Sequence, residues 1–249
     1  MGLSGHVYPD CIPTRLLATL VKGKFMDRIL KGLKQFQTEI FPQHQKLYES
    51  LSRKQNPEVL LITCGDSRVV PNLVTQAEPG ELFISRHVGN IVPPFGGPYG
   101  GVSATVEYAV SALKVQHVIV VGHTDCGAMR AVLHPERMAN LPNVAGWLGY
   151  VDAAKHIVEA LYPDADDETK VHKLAERNVV LQLKHLETHP PVALAMAKGT
   201  LTLHGWMYYI ESGDVDVYNP QTDSFVRMTF EERTAETAQR RPAEVGANG

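Results

Sequence analysis

Cysteine is scarce in this chain: three cysteines in 249 residues, at positions 11, 64 and 126, cannot make an even disulfide framework. Thiols used so sparingly fit a reducing, cytoplasmic setting, where they serve as ligands or nucleophiles. Basic residues are not in excess, with 24 Lys and Arg against 27 Asp and Glu and a formal net charge of −3. Without a basic surplus or a like-charge block, the chain lacks the electrostatic footprint of a nucleic-acid binder. No apolar run approaches the roughly 20 residues of a spanning helix, so no membrane partner is expected. Internal repeats, low-complexity tracts and a dividing linker are missing as well. The expectation is therefore one domain over 1–249, in which 1–52 form a helical arm and 234–249, broken by Pro242 and two late glycines, form a flexible tail.

MGLSGH opens like a myristoylation signal, but His6 stands where Ser or Thr is required. Residues 15–38 are basic, amphipathic and poor in acids. They read as a helical arm that packs on the body or on a second subunit; a transit peptide for mitochondria or another organelle is the alternative. Beyond the arm, apolar β-branched runs alternate with helical patterns, as in a parallel sheet built from crossover units. Strands are expected at 58–64 (EVLLITC), 81–86, 117–122 (HVIVVG) and 201–210, with an antiparallel edge strand at 214–219 after the turn at Gly213. Helical periodicity covers 102–114, 143–162 and 168–189, the last ended by HPP. The fold class is α/β: four parallel strands plus an antiparallel edge strand, flanked by helices.

Two of the three cysteines stand where strands end. EVLLITC runs into GDSR, and HVIVVG runs into HTDCGA, which puts Cys64, His123 and Cys126 in turns that leave two strands. In an open parallel sheet, carboxyl ends of strands face one crevice. Two sulfurs and an imidazole are a recognised catalytic zinc set, because three protein donors leave the fourth tetrahedral position to water. Helices starting just after each turn would favour the thiolate forms. The bland alternative is two buried cysteines and a turn histidine. A nucleophilic Cys64 with Arg68 cradling an anion is a rival, but only three residues separate the two and Asp66 among them repels a dianion. Asp66 and Arg68, at alternate positions after Cys64, can face the same way as an ion pair beside the metal. The glycine-rich PPFGGPYGG (93–101) lacks the Lys-Ser/Thr of a phosphate loop and reads as a hinge before a helix.

CGDSR (64–68) and HTDCGA (123–128) resemble the two signatures of the β-class carbonic anhydrases, C-x-D-x-R and H-x-x-C, and the likeness extends over roughly 25–228. The resemblance implies zinc, one ion per subunit, on Cys64, His123 and Cys126, with Asp66 and Arg68 as the catalytic pair. It also implies Gln55 as a hydrogen-bond donor to CO2 or bicarbonate across a dimer interface, and Phe83, Val88 and Tyr108 as an apolar wall. The activity it implies is reversible hydration of CO2 by zinc-activated water in a homodimer or homotetramer. Asp66 moving onto the metal at low pH would shut activity off. Leu61 stands where one subclass of the family carries a tryptophan beside an inhibitory bicarbonate pocket. A related enzyme hydrolysing a heterocumulene such as carbon disulfide, or a non-catalytic zinc module, remains the alternative.

Overall fold

The computed structural model describes residues 23–97 and 100–229. Cys11, residues 15–22 of the basic segment and the tail 234–249 lie outside the described residues. The chain divides into two compact units, one up to Lys54 and one from Gln55 onward.

The first unit is helical. Helix α1 (Lys24–Gln35) passes through a π-helical stretch, Phe36–Ile40, into α2 (Phe41–Leu51), which has a proline in its first turn. In α1, Phe25, Ile29 and Leu33 recur at four-residue spacing and form one apolar stripe. All three are exposed, and neither helix buries a residue. The rings of Phe36, Phe41 and Tyr48 cluster at 5.3–6.3 Å between centroids.

The second unit starts with β1 (Val59–Cys64), a short helix α3 (Pro71–Thr75) and β2 (Leu82–His87). Helix α4 (Gly101–Glu107) continues as a π-helical segment, Tyr108–Leu113, and ends on left-handed Lys114; β3 (His117–His123) follows. Next come α5 (Gly127–Leu133), α6 (Pro142–Leu148), α7 (Asp152–Leu161), α8 (Asp167–Glu187) and α9 (Pro190–Ala197). The chain closes with β4 (Thr202–Tyr208), β5 (Val215–Asn219) and β6 (Ser224–Arg227).

The strand order is β2-β1-β3-β4-β5-β6, with the first four parallel and the last two antiparallel. The expected mostly parallel sheet is present, but β5 is not its edge. A four-residue strand, SFVR, adds β6 outside it, and its largely exposed residues carry none of the buried alternation by which a strand is recognised. Two helical patterns also differ. The run 143–162 is interrupted by a 3-10 turn, Gly149–Val151, and the prolines that end α8 also begin α9, because a missing N–H is harmless in a first turn. Helix α8 is capped by Asp166, whose carboxylate accepts from the Thr169 N–H at 2.7 Å.

β1 and β3 are nearly continuous apolar runs because both of their faces are covered. Leu60, Ile62, Val118 and Val120 enter the main core with Val106, Val158, Leu174 and Val179 from the helices. Leu61, Ile119 and Val121 form a smaller cluster on the other face with Trp206 and Tyr208. After β1 the chain departs toward β2, and after β3 toward β4, so the connections diverge and open a crevice at the two carboxyl ends. Among the described residues no helix is long and apolar enough to cross a membrane.

Helix α8 lies directly on the sheet because two strand glycines let it. A Cβ on Gly122 would sit 2.7 Å from Val179 Cγ2 and Met207 Sδ; one on Gly205 would sit 2.8 Å from Val179 Cγ1. Gly205→Val is expected to destabilise the fold by about 1–3 kcal/mol through overpacking. A lowered urea midpoint at unchanged slope is the signature to measure.

Candidate active site

Cys64 is the last residue of β1, and His123 is the last residue of β3. The turn after β3 then delivers Cys126 as the residue that caps α5. The three donor atoms lie within 4.8 Å of one another, and all three residues are buried. The sheet brings them together as their strand-end positions predict.

The electrostatics of this cluster call for a cation. The Cys126 thiol hydrogen-bonds to Cys64 and, with help from His123 and the backbone N–H groups of Gly89 and Asp66, holds Cys64 as a thiolate despite burial. Cys126 is pushed well up in turn, first by that hydrogen bond to Cys64 and next by burial. A second negative charge beside the first, out of water, is unfavourable without a positive partner. Burial opposes charge on His123, yet its pKa is raised because the Cys64 thiolate faces it. His123 Nδ1 bonds the Thr124 carbonyl at 2.8 Å, which makes it the protonated nitrogen and leaves the Nε2 lone pair free. That Nε2 is buried without a protein hydrogen-bond partner. Two sulfurs, one orphaned imidazole nitrogen and a fixed tautomer fit a divalent metal with affinity for soft donors.

Asp66 and Arg68 occupy the rim. The backbone does not stay extended through them: Val69 N–H returns to the Asp66 carbonyl at 3.1 Å, and Arg68 N–H donates to Asp66 Oδ1 at 2.9 Å. This turn folds Arg68 back onto Asp66 in a bidentate pair, Nε to Oδ1 at 3.0 Å and Nη2 to Oδ2 at 2.9 Å. The pairing expected from strand alternation is thus made by a turn instead. It holds the Asp66 carboxyl down at about 2. Asp66 Oδ2 stands 3.9 Å from His123 Nε2, at the edge of the donor triangle. Arg86 braces the same loop from β2, donating from Nη2 to the Asp66 carbonyl at 2.7 Å. Helix dipoles serve only one sulfur: α5 begins immediately after Cys126, whereas α3 starts at Pro71, well past Cys64. Cys64 receives separate backbone donors because the GDSR turn occupies the chain between them.

A family model described as carbonic anhydrase matches residues 59–215. A carbonic anhydrase of Pseudomonas aeruginosa is 46% identical over 203 residues, covering 82% of this chain and 92% of the relative. Carbonic anhydrase 1 of Escherichia coli O157:H7 is 44% identical, covering 87% and 99%. The chain belongs to the β-class carbonic anhydrase family. The structure of the β-carbonic anhydrase CcaA superposes with a TM-score of 0.80 at 40% identity, covering 82% of this chain and all of that one. A tetrameric β-carbonic anhydrase from Sordaria macrospora superposes at 0.71 and 28% identity, covering 78% and 97%.

Within one β-carbonic anhydrase chain, the remaining four site residues fall into two places. Val88 follows β2 beside the metal loop, is 44% exposed, and accepts the Trp147 indole N–H on its carbonyl at 2.8 Å. Phe83 pairs with Leu60, four residues before Cys64 in the register, about 13 Å along the strand. It packs against Tyr108 with ring centroids 5.9 Å apart, and Tyr108 is half exposed. Gln55 is exposed in the segment that enters β1 at the end opposite Cys64, and the strand itself is about 17 Å long. Leu61 points into the small cluster on the sheet's second face. Sequence reasoning missed Asp125, which holds Arg68, and Arg130, which holds Asp125. The acid inside HTDC was a visible signal for Asp125, and the Cys126–Arg130 spacing of four on a helix was one for Arg130. Nothing local marks Arg86.

Cys64→Ser and His123→Ala are each expected to lose stoichiometric metal while the secondary structure persists. Metal content of the purified variants, read beside far-ultraviolet circular dichroism, checks this; metal retained by either variant contradicts the donor assignment.

Proposed function

We propose that this chain hydrates carbon dioxide reversibly to bicarbonate and a proton, with one zinc ion per subunit on Cys64, His123 and Cys126. The observation that carries the reading is the Asp66–Arg68 pair locked at the rim of three convergent soft donors. Zinc held by three protein donors keeps a position for water and lowers the pKa of that water toward neutrality. The Thr124 carbonyl keeps the proton of His123 on Nδ1, so Nε2 stays a donor to the ion. Asp66, ionised and clamped by Arg68, can only accept a hydrogen bond. It therefore takes the O–H of the attacking oxygen and turns the lone pair of that oxygen toward the carbon of the substrate. Val88 supplies an apolar contact that favours CO2 over the charged product.

Gln55, Phe83 and Tyr108 sit at the amino end of the sheet, so we assign them to the site of a second copy of the chain. There Gln55 donates its amide N–H to an oxygen of CO2 or bicarbonate, and the two rings complete the apolar wall. A homodimer or homotetramer, acting in the cytoplasm, is the working assembly, with the helical arm as part of the contact between copies. The similar tetrameric enzyme of Sordaria macrospora supports association.

Stopped-flow hydration of CO2, run on protein of known zinc content, tests the activity; zinc-loaded protein without turnover overturns it. Asp66→Asn is expected to keep zinc and lose about 10²-fold or more in kcat, the range of a lost proton-directing group. Full activity in that variant reduces the pair to scaffolding. Mixing Gln55→Ala with Cys64→Ser tests the shared site. Each alone is expected to be weak, but mixed dimers rebuild one complete site apiece, so random pairing restores roughly a quarter of the sites. Activity that does not rise on mixing places Gln55 outside the partner's site.

A further inference from the structure

The Arg68 guanidinium does not end its contacts at Asp66. Its Nη1 donates to Asp125 Oδ2 at 3.1 Å, and its Nη2 donates to the Asp125 backbone carbonyl at 3.0 Å. The second carboxylate oxygen of Asp125 accepts from Arg130 Nη2 at 2.9 Å. Arg130 is held from behind, with Nη1 to Asp167 Oδ2 at 2.9 Å and Nη2 to Glu168 Oε1 at 3.1 Å, both in the first turn of α8. Charges thus alternate without a gap from Asp66 through Arg68, Asp125 and Arg130 to α8.

Asp125 carries two duties at once. It lies between the ligands His123 and Cys126, and its backbone is left-handed, with φ of 49°. Such a conformation in a residue other than glycine persists where the surroundings over-determine it. Aspartate adopts it more readily than most residues, and here the side chain is also held by two guanidinium groups. The backbone turn that presents the metal ligands and the side chain that grips Arg68 belong to the same residue.

As stability the chain of ion pairs counts for little. The Arg68 and Asp125 side chains are 43% and 55% exposed, and water screens exposed pairs strongly. As geometry it counts for more. A planar guanidinium fixed on two edges by two carboxylates cannot rotate, and Asp66 is held as firmly as its clamp.

We propose that Asp125 and Arg130 are positioning residues for CO2 hydration, fixing the Arg68 guanidinium so that Asp66 keeps its orientation at the metal. The inference rests on the reading of Asp66 and Arg68 as the pair that directs the attacking oxygen. A purely structural role for Arg130 makes a different forecast: equal losses in every background.

The test is Arg130→Gln in the zinc-loaded full chain, alone and combined with Asp66→Asn. Alone, it is expected to keep zinc and lower kcat about 3- to 10-fold, the scale of a small misplacement of a reacting group. Combined with Asp66→Asn, it is expected to add no further loss, because the group it positions has already been removed. Arg130→Lys, a single point charge for a bidentate fork, is expected to recover only part of the rate. A readout independent of turnover is the Arg68 Nε–H resonance, whose exchange with solvent should speed up in Arg130→Gln. Wild-type kcat in Arg130→Gln, an equal loss in the Asp66→Asn background, loss of zinc, or unchanged Arg68 exchange each overturns the proposal. Failure of the underlying reading shows elsewhere, as full activity in Asp66→Asn alone.

Discussion

Two sulfurs and an imidazole packed together away from water cannot settle their charges among themselves. The thiolate on Cys64 raises the proton affinity of both its neighbours, so the second sulfur stays protonated unless a positive charge joins the cluster. Arg68 is committed to Asp66 and Asp125 on the rim, and Arg86 to the backbone carbonyls of Cys64 and Asp66. A divalent ion resolves the conflict, and the local backbone is arranged for it: Thr124 fixes the tautomer, Gly89 and Asp66 direct N–H groups at Cys64, and Ala128 and Met129 direct theirs at Cys126. Asp66 completes this balance. It is anionic at the edge of the site, and only the clamp from Arg68 keeps it from being one more uncompensated charge.

The sheet makes that crowding possible. β1 and β3 are adjacent and parallel, with Thr63 opposite Val121, so Cys64 and His123 emerge side by side at one end. The Thr63 hydroxyl ties the two strands at that end by donating to the Val121 carbonyl at 3.2 Å. Gly122, one residue before His123, keeps Val179 and Met207 close behind the site. A side chain there would push α8 away, and with it the Asp167 and Glu168 carboxylates that hold Arg130. Packing behind the sheet and ion pairing in front of it are linked through one helix.

Much of this was legible in the sequence. The apolar runs of β1 and β3 are uninterrupted because both faces are covered, and donors just past two such runs can only converge. Turn chemistry was harder to read. Alternation suggested that Asp66 and Arg68 meet along an extended segment, whereas the Asp66 side chain nucleates a turn that brings Arg68 back to it. Arg130 and α8 meet across 37 residues or more, and Arg68 and Asp125 across 57, which no local pattern encodes. Strand β6 escaped because four mostly exposed residues carry no period, and α9 because two prolines read as a stop. Gln55, Phe83 and Tyr108 came from family resemblance alone; their own surroundings mark them as a loop residue and ordinary aromatic packing.

The position of those three residues bears on why the arm exists. Strand geometry separates them from Cys64 along the length of β1, a gap that side-chain motion does not close. On the proposed assignment, each chain carries the three metal donors at one end of the sheet and part of a partner's substrate wall at the other. The arm presents the same asymmetry: an apolar stripe of Phe25, Ile29 and Leu33 on helices that bury nothing of their own. A helical arm that buries none of its described residues draws little stability from its own packing. The proposed association of two copies would answer both needs if the stripe lies in the contact between them. Selection acting on turnover would then also maintain the arm, although the arm supplies none of the groups assigned to the metal or the substrate.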